Sequence, residues 1–196
     1  MSVQNREFLQ EVMRKEIKDR KIPISLGKTC PVKCAFCYEM DLSYRQTFDM
    51  PFTTQEDWKF IFNEIQAFPT REAESWILGG NEYMEWTDLA LHPKAMDWIE
   101  EFLEKTDKKI TMFSVGYFDP ARINRLAEKY PGRINFELSV ITLGSYREQL
   151  MPKGPSVDQV LAVLDGPSVT SANFYSFGPG TMSQDAKRIA EINKTC

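Results

Sequence analysis

An α/β fold built on a parallel sheet is what this sequence predicts, and three observations predict it. Short β-type runs alternate with amphipathic helical segments along most of the chain, the pattern left by βαβ crossovers. Five βα units follow a leading helix. The 196 residues suit one domain, yet fall short of the roughly 250 that a closed eight-unit barrel uses.

The elements justify themselves in order. Phe8, Leu9, Val12, Met13 and Ile17 recur at helical spacing, so residues 1–20 are expected to hold an N-terminal helix and residues 21–196 the core. Ile22 to Leu26 reads as the first strand. Thr53-x-x-Glu56 reads as a capping box for a helix whose inner face is Trp58, Ile61, Phe62 and Ile65. Pro69 is expected to close it. Glu74 to Leu78 reads as a buried strand ending in Gly79-Gly80. Pro93 opens a helix with Met96, Ile99, Phe102 and Leu103 on one side. Lys109 to Val115 is strand-like. Asp119-Pro120 reads as an N-cap with proline at the first helical position, ahead of Ile123, Leu126, Ala127 and Tyr130. Ile134 to Ile141 is the clearest strand. Ser156 caps a helix carrying Val157, Val160, Leu161 and Leu164, stopped at Gly166-Pro167. Val169 to Phe177 is the fifth strand, and a last helix carries Ala186, Ile189 and Ala190.

Composition excludes some classes of function. Hydrophobic content of 42% and charged content of 27% are those of an ordinary globular chain. A net charge of −4 gives bulk electrostatics no hold on nucleic acid or an anionic membrane. No apolar run approaches a membrane span, and Met1 to Glu7 is polar, without the apolar segment of a signal peptide. A cytoplasmic, reducing compartment is expected. There is no Gly-x-Ser-x-Gly elbow and no dinucleotide fingerprint, which sets aside α/β hydrolases and dehydrogenases.

Chemistry concentrates in one loop. Cys30, Cys34 and Cys37 fall within eight residues, directly after the first strand, and the fourth cysteine is Cys196. Three thiolates can hold three irons of a cubane cluster and leave the fourth iron open. Structural zinc is the alternative. It takes four ligands, so His92, the only histidine, or Cys196 would have to return to the loop. A purely electron-transferring cluster is a further alternative.

Cys30-x-x-x-Cys34-x-Phe36-Cys37 resembles the signature of the radical S-adenosylmethionine (SAM) enzymes. The resemblance implies a [4Fe–4S] cluster on the three cysteines, SAM chelated by the unique iron, reductive cleavage to a 5′-deoxyadenosyl radical, and hydrogen abstraction from substrate. It implies a partial TIM-type barrel of six βα units, one more than the five counted here, so a fragment or a core continued by a sixth strand is expected. A flavodoxin- or ferredoxin-type reductant would be the partner, and the substrate a small molecule or peptide.

The resemblance also assigns SAM contacts. Phe36 lies near the adenine. Gly79 and Gly80 stand where the family exposes backbone carbonyls to the SAM ammonium, although Asn81 takes the usual glutamate place and Glu82 comes one later. Ser139 matches a position whose hydroxyl contacts the ribose. Gly178, in the Gly178-Pro179-Gly180 turn, matches adenine-contacting backbone. Arg147 is a candidate for the methionine carboxylate, with a solvated surface arginine as its default. By period-two alternation Asn135, Glu137 and Ser139 share one strand face, which with Asn173 and Tyr175 is read as a polar lumen.

Overall fold

A computed structural model describes residues 3–26, 34–35, 52–68, 75–79, 88–175, 183, 185–187 and 190. Its centre is an all-parallel sheet in the order β1-β2-β3-β4-β5, with β1 at Lys21–Ile22, β2 at Ser75–Leu78, β3 at Lys109–Ser114, β4 at Ile134–Ile141 and β5 at Val169–Tyr175. Each crossover advances the chain by one strand in the same direction. With right-handed crossovers this puts the connecting helices on a single face. Among the described residues no pairing joins β5 to β1, so the sheet is open.

The helices are α1 (Val3–Lys18), α2 (Gln55–Ala67), α3 (Ala95–Lys105), α4 (Pro120–Lys129), α5 (Arg147–Leu150) and α6 (Val157–Leu164). Residues 183, 185–187 and 190 are also helical, where the last helix is expected. The core lies between the helices and one sheet face. From the sheet come Trp76, Leu78, Ile110, Met112, Phe136, Leu138 and Val140. From the helices come Trp58, Ile61, Ile65, Ile99, Phe102, Ile123, Val160 and Val163. Leu9, Met13 and Ile17 of α1 join the same core. An aromatic file, Phe52–His92–Trp98–Trp58, runs through it with ring centroids 4.5, 4.5 and 5.2 Å apart.

Local chemistry explains where the elements depart from the sequence pattern. The first strand stops at Ile22, where Ile22–Leu26 is expected. Pro23 has no N–H to extend a ladder, and the next residues turn elsewhere: Ser25 N donates to Thr53 Oγ1 at 2.7 Å and Thr53 N to Ser25 O at 3.0 Å. That same recruitment moves the capping box by one residue. Thr54 is the N-cap of α2, with Asp57 as its reciprocal partner, not Thr53 with Glu56. Pro93 does not open α3. It sits in a turn closed by Ala95 N to His92 O at 3.0 Å, and the helix starts at Ala95. On α3, Trp98 is buried in the core and Met96 is only half-buried. The fifth strand runs Val169–Tyr175, with residues 176 and 177 of the expected strand outside the described residues, as Pro69 is after a helix that ends at Ala67.

Candidate functional site

In parallel α/β folds, ligands bind beyond the carboxyl ends of the strands. The cysteine loop is tied there. Ala35 N donates to Leu150 O, at the end of α5, at 2.8 Å. Cys34, half-buried, packs against the small apolar cluster formed by Ile141 at the end of β4 and Met151 after α5, as do Leu91, Val115 and Tyr117. Cys30, Cys37, Phe36, Gly80, Asn81 and Gly178 lie outside the described residues.

At the end of β3 a buried carboxylate organises two loops. Asp88 Oδ2 accepts from Ser114 Oγ and Val115 N, each at 2.7 Å, and Oδ1 accepts from Ala90 N at 3.0 Å. Asp88 thereby caps the short 3₁₀ turn Leu89–Leu91 and holds it against the strand end. Burial pushes its carboxyl up to about 6, against the pull of those three donors. The sequence analysis did not single it out. The signal was present: an aspartate one residue ahead of Leu89-Ala90-Leu91 is an N-cap pattern.

At the end of β4 the chain turns sharply. Thr142 has φ +31°, rare for a β-branched residue. Asp185 Oδ1 accepts from Thr142 Oγ1 at 2.8 Å and Leu143 N at 2.7 Å, and Thr142 N donates to Tyr175 O at 3.1 Å. Arg147 closes the turn from beneath. It is only 4% exposed, so it is not the solvated surface arginine that is its default. Nε donates to Pro155 O at 3.0 Å, and Nη1 donates to Ile141 O and to Thr142 O. Its Nη2 is buried without a hydrogen-bond partner.

Gly79 has φ +73°, and its N–H continues the β1 ladder to Ile22 O at 3.1 Å. A Cβ there would meet Leu89 Cδ1 at 2.6 Å. A glycine is required by the turn and by the approach of Leu89, whatever else its carbonyl does. Ser139 is half-buried on the sheet face opposite the helical core, with Asn135 and Glu137 and across from Asn173 of β5. Its hydroxyl bonds no described residue. The period-two alternation of β4 holds from Ile134 to Val140: Phe136, Leu138 and Val140 are buried, and Asn135, Glu137 and Ser139 are partly open, while Ile141 is buried beside Val140 and breaks it.

Nearer the strands' amino ends, this face is cross-linked. Ser75 and Thr111 share a hydrogen bond at 2.6 Å. Asn135 Nδ2 donates to Thr111 Oγ1 at 3.3 Å, and Thr170 Oγ1 donates to Asn135 Oδ1. The ladder spans β2 to β5. Asn173 and Tyr175 are exposed on β5.

His92 is held away from the loop chemistry. Its ring lies between Phe52 and Trp98. Nδ1 accepts from Lys94 N at 3.1 Å, which leaves Nε2 to donate to Thr53 O at 3.1 Å. Both nitrogens are used by the fold, and burial lowers the ring's pKa below its ordinary value. Of the two residues that would complete a zinc site, that leaves Cys196, outside the described residues.

No protein-family model matches the chain, and no curated protein matches it. Among the described residues, no helix is long and apolar enough to cross a membrane.

Proposed function

We propose that this chain is a radical-SAM enzyme core, in which Cys30, Cys34 and Cys37 hold a [4Fe–4S] cluster at the carboxyl edge of a partial barrel. The observation that carries this reading is the anchoring of the loop: Ala35 bonded to Leu150, and Cys34 set against Ile141 and Met151 at the end of β4. The donor chemistry there supports it. A thiol beside a buried, incompletely bonded guanidinium suits a thiolate-bound anionic group.

When bound, the cluster would supply the electron that cleaves SAM to a 5′-deoxyadenosyl radical. The chain's own residues do the rest. The Gly79 turn and Leu89 keep the β2 end narrow, so that backbone, not side chain, would face the SAM ammonium there; Gly80 and Asn81 are assigned to the same contact by the resemblance alone. Ser139 offers a hydroxyl that no described residue uses and that would be free to meet the ribose. Phe36 and Gly178 are the residues that, by the resemblance, would meet the adenine. Asn135, Glu137, Asn173 and Tyr175 present amide, carboxylate and phenol groups to a polar substrate. A one-electron reductant of the flavodoxin or ferredoxin class and a cytoplasmic compartment complete the proposal.

The test is 5′-deoxyadenosine formation. Anaerobically reconstituted protein, reduced with dithionite and given SAM, is expected to release it. A folded, fully loaded protein that leaves SAM intact contradicts the reading. Zinc without sulfide in the purified protein would favour the non-catalytic metal-binding alternative.

A further inference from the structure

We propose that Glu137 and Phe113 recognise a cationic nitrogen, so that the substrate of this site carries a protonated amine or guanidine. This rests on the function proposed above and deepens it by naming the class of its substrate.

The sheet face opposite the helical core is graded along the strands. At the amino end its polar groups bond one another, in the ladder from Ser75 through Thr111 and Asn135 to Thr170. Above that ladder they do not. Glu137 is the next residue of β4 on this face. It is half-buried, in register with Phe113 of β3 on one side and Ser171 of β5 on the other. Thr111 and Asn135, bonded to each other in the ladder, each come one alternation earlier on their strands. Phe113 and Glu137 therefore share the face.

Among the described residues Glu137 forms no ion pair. Asn135 Nδ2 reaches its Oε1 only at 3.5 Å, from an amide already shared with Thr111 Oγ1 at 3.3 Å. Most of the carboxylate's accepting capacity is left over. Lys109, the cation on the same face of β3, stands exposed at the strand's amino end, below the ladder. The next pair upward, Ser139 and Asn173, brings a hydroxyl and an amide but no charge.

Phe113 supplies the second half of the site. Neighbouring strands lie about 5 Å apart, so its half-buried ring borders the carboxylate. A carboxylate beside an aromatic ring holds an ammonium or guanidinium by ion pairing and by the ring's quadrupole together. An anionic group would meet the carboxylate with no cation to offset it. A neutral hydroxyl or amide could bond the carboxylate but would gain nothing from the ring.

The experiment is a titration of the full ¹⁵N-labelled chain, without iron or SAM, followed by amide chemical shifts. The probes are n-butylammonium, Nα-acetyl-lysine amide, n-butanol and butyrate. The two cations are expected to shift the amides of Phe113, Glu137 and Ser139, and the tighter of the two tells a free amine from the side chain of a peptide. Butanol and butyrate are expected to leave those amides in place. Glu137→Gln, which keeps the side chain's size, is expected to weaken the cations about tenfold, and Phe113→Leu about threefold. Equal shifts from butanol or butyrate overturn the inference on the unaltered chain, with no variant needed. Unchanged cation binding in either variant overturns it as well. Both of those results leave SAM cleavage untouched, since no cluster is present. Cation binding at Glu137 in a protein that leaves SAM intact keeps this site and overturns the functional reading alone.

Discussion

The two ends of the sheet each carry a guanidinium bound to backbone carbonyls, and the two differ in one atom. At the amino end, Arg133 precedes β4. Its Nε donates to Lys108 O at 3.2 Å, Nη1 to Leu103 O at 2.7 Å, and Nη2 to Thr106 O at 2.7 Å and Lys108 O at 2.8 Å. Every nitrogen is used, and a carbonyl orphaned by the end of α3 is satisfied. At the carboxyl end, Arg147 is the more deeply buried of the two, yet one of its nitrogens is left over. The same end holds Asp88, whose carboxyl is pushed up to about 6, and Thr142 at positive φ. At the amino end the guanidinium is finished as structure, although Trp76 Nε1 near the start of β2 is buried without a partner. The carboxyl end keeps polar capacity and strain in reserve, as functional sites do.

The largest effect on stability is expected at the finished end. Arg133→Met removes a charged donor from three carbonyls and should cost about 3 kcal/mol by denaturant unfolding, while iron uptake at the other end stays at the wild-type level. Changed uptake would break the distinction between the ends. Next comes the pH response of Asp88. A carboxyl raised from 3.8 to about 6 by folding is protonated more readily in the native state than in the unfolded chain. Its contribution is therefore fully present below about pH 4 and lost as pH rises through about 6, a swing of about 3 kcal/mol. In Asp88→Asn this part of the pH dependence should vanish from urea-unfolding curves taken between pH 4 and 7, and an unchanged slope would remove Asp88 from the account. The smallest of the three is Gly79→Ala. With φ at +73° and Leu89 in the way, it should cost about 2 kcal/mol, read as a lowered midpoint of unfolding. A neutral result would mean that the β2 turn is not fixed by Leu89.

Much of the fold was legible because its signals are local. β4 alternates from Ile134 to Val140, and Asp119-Pro120 marks the start of α4 by cap chemistry alone. The misplacements come from tertiary choices. Thr53-x-x-Glu56 and Thr54-x-x-Asp57 both fit a capping box, and Ser25, remote in sequence, claims Thr53. Of the site, the loop and the polar strand face were legible from residue type and period. The burial of Arg147 was not, because Tyr146-Arg147-Glu148-Gln149 reads as a solvated polar run. Only the turn at Thr142 and the carbonyls it leaves pointing inward bring the guanidinium beneath the sheet edge. Asp185 was equally silent, since its partners, Thr142 and Leu143, lie some forty residues earlier.

The central claim is that the carboxyl end of this sheet holds a cluster through Cys34. Iron and acid-labile sulfide counted per chain after anaerobic reconstitution, in the wild type and in Cys34→Ala, test it most directly. About four of each are expected in the wild type, with a loss of most of both in the variant at unchanged helical content. Sulfide-free wild-type protein, or equal loading of the two chains, would contradict it.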